Sequence, residues 1–247
     1  MAEHTPEMPS TVQTVLLYPG TFFEQRRDDL GGVRGAGLAL GAAVALTAVV
    51  GLALRLFAAQ FTATTEIDNP VRPPDQFCED DGVAGITPSG CDEPATQTVE
   101  VGSLIWDQAA EILPAVLVGL VVVWFGLAVS LYVGAKIAGG SAGFGPTLEV
   151  TGWGLLPSVV GAAVGGAALV GFAARADFAA TSPQVLLEQV RTLQTGLSGL
   201  TFLAIQVGTA AWQAYVWASG LRVVHGISRY AAVAVAVVAA TLPVTVA

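Results

Sequence analysis

The sequence predicts an all-α membrane protein, a bundle of five transmembrane helices preceded by a short interfacial helix. Three observations carry this. Of 247 residues, 53% are hydrophobic and only 12% charged, about half the charged share of an ordinary soluble domain. Five continuous apolar stretches approach the roughly 20 residues that a helix needs to cross the hydrocarbon layer: Ala36 to Leu54, Ile112 to Ala135, Trp153 to Ala174, Leu200 to Leu221 and Tyr230 to Ala247. No Asp, Glu, Lys or Arg falls inside those limits, whereas Arg34, Arg55, Glu111, Lys136, Arg175, Arg222 and Arg229 stand just beyond them, where insertion energetics tolerate charge. The runs are continuous rather than alternating, which excludes membrane-spanning strands.

Residues 1–34 are polar, acidic and proline-containing, unlike the basic leader and apolar core of a secretory signal. Within them Ser10 and Gln13 form a capping-box pattern, and Val12, Val15 and Leu16 fall on one helical face, which predicts a short N-terminal helix. Phe22 and Phe23 followed by Arg26 and Arg27 suit either the headgroup boundary or packing against the bundle. The first span opens a membrane domain covering residues 35–247. Residues 57–111 form a polar, acidic loop with prolines at 70, 73, 74, 88 and 94, too short for a sizeable core. Between the third and fourth spans, Ser182 and Pro183 make a helix start, and Leu186, Val190, Leu193 and Leu197 recur at three and four, the pattern of one amphipathic helix.

Five spans place the termini on opposite sides. With the N-terminus in the cytoplasm, six basic residues lie inside (Arg26, Arg27, Arg34, Lys136, Arg222, Arg229) and four outside (Arg55, Arg72, Arg175, Arg191), which favours that orientation in the cell membrane. The same choice exports Glu79, Asp80, Asp81, Asp92, Glu93 and the only cysteines, Cys78 and Cys91. A disulfide between these two in an oxidising compartment is the natural reading; two separate free thiols are the alternative. Neither His4 nor His225 lies near them in sequence, so no zinc set of four ligands forms. The "CEDDG" cluster lacks the alternating carboxylates of a calcium loop.

The net charge of −9, with ten basic residues in all, excludes a nucleic-acid partner. The lipid bilayer is the expected environment, with membrane-protein partners or self-association beside it, and no cofactor is implied. "GGSAG", Gly139 to Gly143, fits the nucleophile pattern G-x-S-x-G, and Glu149 and His225 follow in hydrolase order. A nucleophile elbow, however, needs a strand feeding a helix, and Ser141 follows the end of a membrane helix. "GAGLALG" near Gly35 likewise lacks the strand that a dinucleotide fingerprint requires. No catalytic or metal site is therefore expected, and the glycines are assigned to helix packing.

Small residues let membrane helices approach closely. Gly161 and Gly165 make a G-x-x-x-G in span three, with Gly166 beside it, so span three is expected to be the central helix. Gln206 and Gln213 lie seven apart in span four, flanked by Trp212, Tyr215 and Trp217. They read either as an interhelical hydrogen bond or as a substrate-binding face.

Three stretches, "LLYPGTFFEQ", "GGSAGFGPTLEVTGWGLLPSVVG" and "WASGLRVVHGISRYAAVAVAV", together resemble the prokaryotic branch of the Ypt-interacting-protein (Yip) domain family, to which the eukaryotic Rab-interacting membrane proteins also belong. The resemblance implies a cytoplasmic N-terminus and five spans. Eukaryotic members carry a D-L-Y-G-P-type motif associated with small-GTPase binding, echoed here only by Tyr18 and Pro19, so GTPase binding does not transfer. The expected role is a non-enzymatic membrane scaffold or adaptor; a transport or permease component binding a solute near span four is the alternative.

Overall fold

The computed structural model describes residues 11–78, 89–175, 188, 191 and 196–241. The amphipathic helix expected from Ser182 to Leu197 and the Ser10 cap lie outside the described residues, 188, 191, 196 and 197 apart. Two short helices, α1 (Thr11–Leu17) and α2 (Pro19–Gln25), lead into α3 (Gly32–Ala58). A hairpin of β1 (Thr64–Asp68) and β2 (Thr96–Glu100) follows, then α4 (Val101–Ile137). The chain continues through α5 (Phe144–Trp153), α6 (Leu156–Ala173), α7 (Gly196–His225) and α8 (Arg229–Thr241).

Among the described residues, three helical stretches are long and apolar enough to cross a membrane: Gly32–Ala58, Val101–Ile137 and Phe144–Ala173, the last comprising α5 and α6. α7 has the length, at 30 residues, but its two glutamines make it less apolar. α8 is apolar and shorter, at 13 described residues.

The loop between the first two spans departs from the expectation of irregular chain. Its flanks pair as an antiparallel ladder, Thr64 opposite Glu100 through Asp68 opposite Thr96, so the fold is helical with a small two-stranded sheet. The reason is local: Thr64, Thr65, Ile67, Thr96, Thr98 and Val99 are β-branched residues suited to a pleated surface. α4 also starts at Val101, well before the apolar run at Ile112, because Asp107 and Glu111 stay exposed on a helix that protrudes. Cys78 and Cys91 lie with Cα atoms 5.5 Å apart and sulfurs bonded.

Span three is not the central helix. α6 buries only Pro157 and Ala173, and Val164 is half exposed. Its small residues approach α7 at Gly161 and α3 at Gly166, and the rest of its surface is open. α3 instead touches α4, α5 and α6, while α7 supplies much of the main core. That core gathers Val15, Phe23, Leu131, Val150, Trp217 and Leu221 at the end of the bundle where α5 lies, opposite the hairpin.

The N-terminal helices belong to this core. Val15 and Phe23 are fully buried, Phe22 packs edge-on against Trp153 at 4.9 Å, and Trp212 Nε1 donates to the Leu16 carbonyl at 2.9 Å. Of the two settings open to Phe22 and Phe23, packing on the bundle is the one adopted. Val12 remains exposed.

Candidate functional site

Two polar constellations stand out, one at the α5 end and one midway along α7.

At the α5 end, α3 and α5 cross in backbone contact. A Cβ added at Gly35 would stand 2.6 Å from the Glu149 nitrogen, and one at Gly152 would stand 2.9 Å from the Gly35 carbonyl; only glycine permits so close an approach. The crossing brings the fully buried Glu149 to the start of α3. Its carboxylate accepts from Gly31 N at 2.7 Å and from Trp153 Nε1 at 3.3 Å, and Arg34 Nη1 lies 3.8 Å away. A carboxylate here satisfies an otherwise orphaned amide and complements the positive end of the helix dipole.

Two residues back along α5, Thr147 Oγ1 stands 2.8 Å from His225 Nε2 and 3.3 Å from Gly143 O. The single hydroxyl proton serves one of these two contacts, so the tautomer of His225 sets which group donates across the pair. Nδ1 is buried with no partner among the described residues. Burial first, and the Lys136 charge second, hold the His225 pKa below the usual histidine value, so the ring is neutral at physiological pH. Gly140 closes over it, since a Cβ there would meet Nδ1 at 2.7 Å. Gly139 and Gly226, with φ of 88° and 68°, make the two turns that flank it.

Ser141, Glu149 and His225 therefore share one end of the molecule without forming a catalytic relay. The Ser141 backbone nitrogen donates to the His225 carbonyl at 3.2 Å, its side chain is exposed, and Glu149 is engaged by Gly31, Trp153 and Arg34 rather than by the imidazole. Thr147 and Trp153, which complete the arrangement, were not singled out as site residues in the sequence. A hydroxyl two residues before Glu149 and an indole one turn after it were the available signal.

The second constellation lies in an open groove of 590 Å³ between α6 and α7, edged by α3 and α8. Gln206 and Gln213, residues 11 and 18 of the 30 in α7, line it together with Ser158 and Thr209. No side-chain hydrogen bond joins any of these four to a partner among the described residues. Gly161 and Gly165 differ sharply. A Cβ at Gly161 would collide with Thr209, whereas one at Gly165 would sit 4.0 Å from Ile205, an ordinary contact. Gly166 approaches Ala53 at 2.7 Å. Ser158 and Thr209 joined the glutamines through the pairing of α6 with α7, which one sequence does not disclose.

The comparison with protein families decides the chain's kinship: the Yip1 domain model matches residues 14–247. The chain belongs to the Yip1 domain family. This Yip1-domain protein is thus a membrane protein with membrane-spanning helices, of a family consistent with a non-enzymatic role. No curated protein matches it, and no solved structure does. The match begins inside α1, so both N-terminal helices fall largely within the domain.

Proposed function

We propose that this Yip1-domain protein is a non-enzymatic scaffold or adaptor of the cell membrane that crosses the bilayer five times, with the N-terminus cytoplasmic and the C-terminus outside. α7 and α8 supply the fourth and fifth crossings. The carrying observation is the layer that α1 and α2 form over the α5 end. It is fixed from beneath by Val15, Phe22, Phe23 and the Trp212 bond, and tied at its edge by Arg222 and Glu24 at 3.5 Å. Its outer side leaves Leu17 and Tyr18 about three-fifths exposed. Rigid aromatic and aliphatic side chains on a fixed helix layer are what a protein partner can bury.

Two experiments test this. Single cysteines near Ser141 and Gly226 should resist an impermeant thiol reagent in intact cells, while one near Gly85 should react; labelling at Gly226 but not at Gly85 would overturn the orientation. In that orientation the Cys78–Cys91 bond faces the oxidising side. For the scaffold role, proteins recovered with the gently solubilised wild type should be lost with Leu17→Asp/Tyr18→Asp at unchanged abundance. Equal recovery by both would refute it.

A second reading, a transport or permease component, is supported by the groove, where polar side chains converge midway along α7. Its test is uptake of polar solutes into proteoliposomes, with Gln206→Leu/Gln213→Leu as the control.

A further inference from the structure

We infer that the groove between α6 and α7 is a binding site for a neutral, lipid-soluble molecule carrying carbonyl or hydroxyl oxygens, of the class of quinones and long-chain alcohols. The inference rests on the solute-binding reading and gives that solute a chemical class.

Four polar side chains, Ser158, Gln206, Thr209 and Gln213, line one groove and have no hydrogen-bond partner among the described residues. Gln213 is only 8% exposed, so bulk solvent does not satisfy it. An unpaired amide in hydrocarbon costs several kcal/mol, and four such groups facing one space call for an occupant that pairs with them. The remaining walls, Gly161, Ala162, Phe202, Ile205 and Ala210 among them, are carbon.

The chemistry of the occupant follows. Among the described residues no Asp, Glu, Lys, Arg or His lines the groove, so a charged ligand would be desolvated without a counter-charge. Gln213 lies about 18 Å along α7 from His225, deep in the span, beyond the reach of a phospholipid headgroup held at the boundary. Amides and hydroxyls both donate and accept, which fits carbonyl and hydroxyl oxygens alike. The volume of 590 Å³ lies in the range that takes a drug-sized molecule. A second hollow of 430 Å³ between α7 and α8 shares Leu203, Gln206, Ala210 and Ala240 with the first, and offers room for an apolar tail.

The test uses the full-length protein in lipid nanodiscs with a diazirine-bearing decanol. Photolabelled residues are mapped by mass spectrometry, and excess decanol or decyl-benzoquinone serves as competitor. Labelling should concentrate on α6 and α7 around Gln213, and fall about fivefold to tenfold in Gln206→Leu/Gln213→Leu. The competitor that displaces it at lower concentration identifies which of the two oxygens is preferred. Leu matches Gln in size, and a cooperative melting transition no lower than that of the wild type shows that the variant is folded. Labelling spread evenly around the bundle, or indifferent to the substitutions, would overturn the inference. So would an oligomer that dissociates in the glutamine variant, since the groove would then be filled by a second copy. Glutamine-dependent uptake of a polar solute without local photolabelling would overturn it while sparing the solute-binding reading; absence of both would remove the two together.

Discussion

The two ends of the polar ladder on this bundle obey opposite rules. At the α5 end the buried carboxylate of Glu149 meets Gly31, Trp153 and Arg34, Thr147 meets His225, and aromatic side chains fill the space between. Midway along α7, only a few turns away, Gln206 and Gln213 line an open groove with no hydrogen-bond partner among the described residues. A polar group that is paired when buried stabilises the fold, whereas one left unpaired weakens it and is retained for something else. The difference separates a structural node from a candidate ligand site.

The largest effect should come from breaking the node. Glu149→Ala strips the acceptor from Gly31 N and Trp153 Nε1 and leaves a void between α3 and α5, a loss of about 2 to 4 kcal/mol. In detergent the melting temperature should drop by several degrees, with less protein in the membrane. Glu149→Gln keeps one acceptor and should cost less. Equal melting of wild type and Glu149→Ala would show that the node is not structural.

Next in size is a steric contrast within α6. Gly161→Leu drives a side chain into Thr209 and should cost about 1 to 3 kcal/mol, while Gly165→Leu, whose Cβ meets Ile205 only at an ordinary 4.0 Å contact, should cost less. Melting curves of the two variants side by side decide it. A Gly165 variant worse than the Gly161 variant would place the helix seam elsewhere.

The groove should respond with the opposite sign. Replacing Gln213 by Leu removes an unpaired amide at nearly constant volume, so the unliganded protein should gain stability, by about 1 kcal/mol. A loss of that size would mean that the amide has a partner in the folded membrane protein and that the contrast drawn here is false.

How much of this could be read from sequence depends on the range of the interaction. The positions of the first three spans were legible because charges such as Arg34, Arg55 and Lys136 bracket apolar runs, and membrane insertion enforces that pattern residue by residue. The hairpin was obscured by its acidic, proline-rich interior, although Thr64, Thr65, Thr96 and Thr98 carry strand propensity. The Glu149 node was only half visible. Glu149 and His225 attracted notice through hydrolase order, but their true partners, Gly31 and Thr147, depend on which helices cross. Gly35 shows the same limit: its sequence neighbourhood resembles a dinucleotide loop, and only the crossing of α5 explains why a glycine stands there.

A smaller effect should follow pH. The His225 pKa is depressed in the folded state, so the unfolded chain binds the proton first as pH falls, and stability declines below about pH 6.5. Above that value the imidazole is neutral in both states and its contribution is constant. Melting temperatures taken between about pH 5 and pH 8 should show this slope in the wild type and a weaker one in His225→Gln, whose amide can still reach Thr147. An unchanged slope would assign the acid sensitivity to carboxylates instead.

The smallest effect belongs to Ser141, the residue that pattern-matching would nominate first. Its contacts run through the backbone: the nitrogen donates to the His225 carbonyl, and the carbonyl accepts from Lys136 Nζ at 3.2 Å. Its hydroxyl faces outward from a glycine-rich turn. Ser141→Ala preserves both backbone bonds, so stability should stay within about 0.5 kcal/mol and partner recovery should not change. His225 has its Nε2 occupied by Thr147 and its Nδ1 sealed behind Gly140, and the Glu149 carboxylate is held by Gly31, Trp153 and Arg34, so neither takes a proton from Ser141 without opening the turn. If Ser141→Ala nonetheless abolishes the cellular phenotype at unchanged abundance, the turn must open in the working protein, and the non-enzymatic reading falls with the closed structure that supports it.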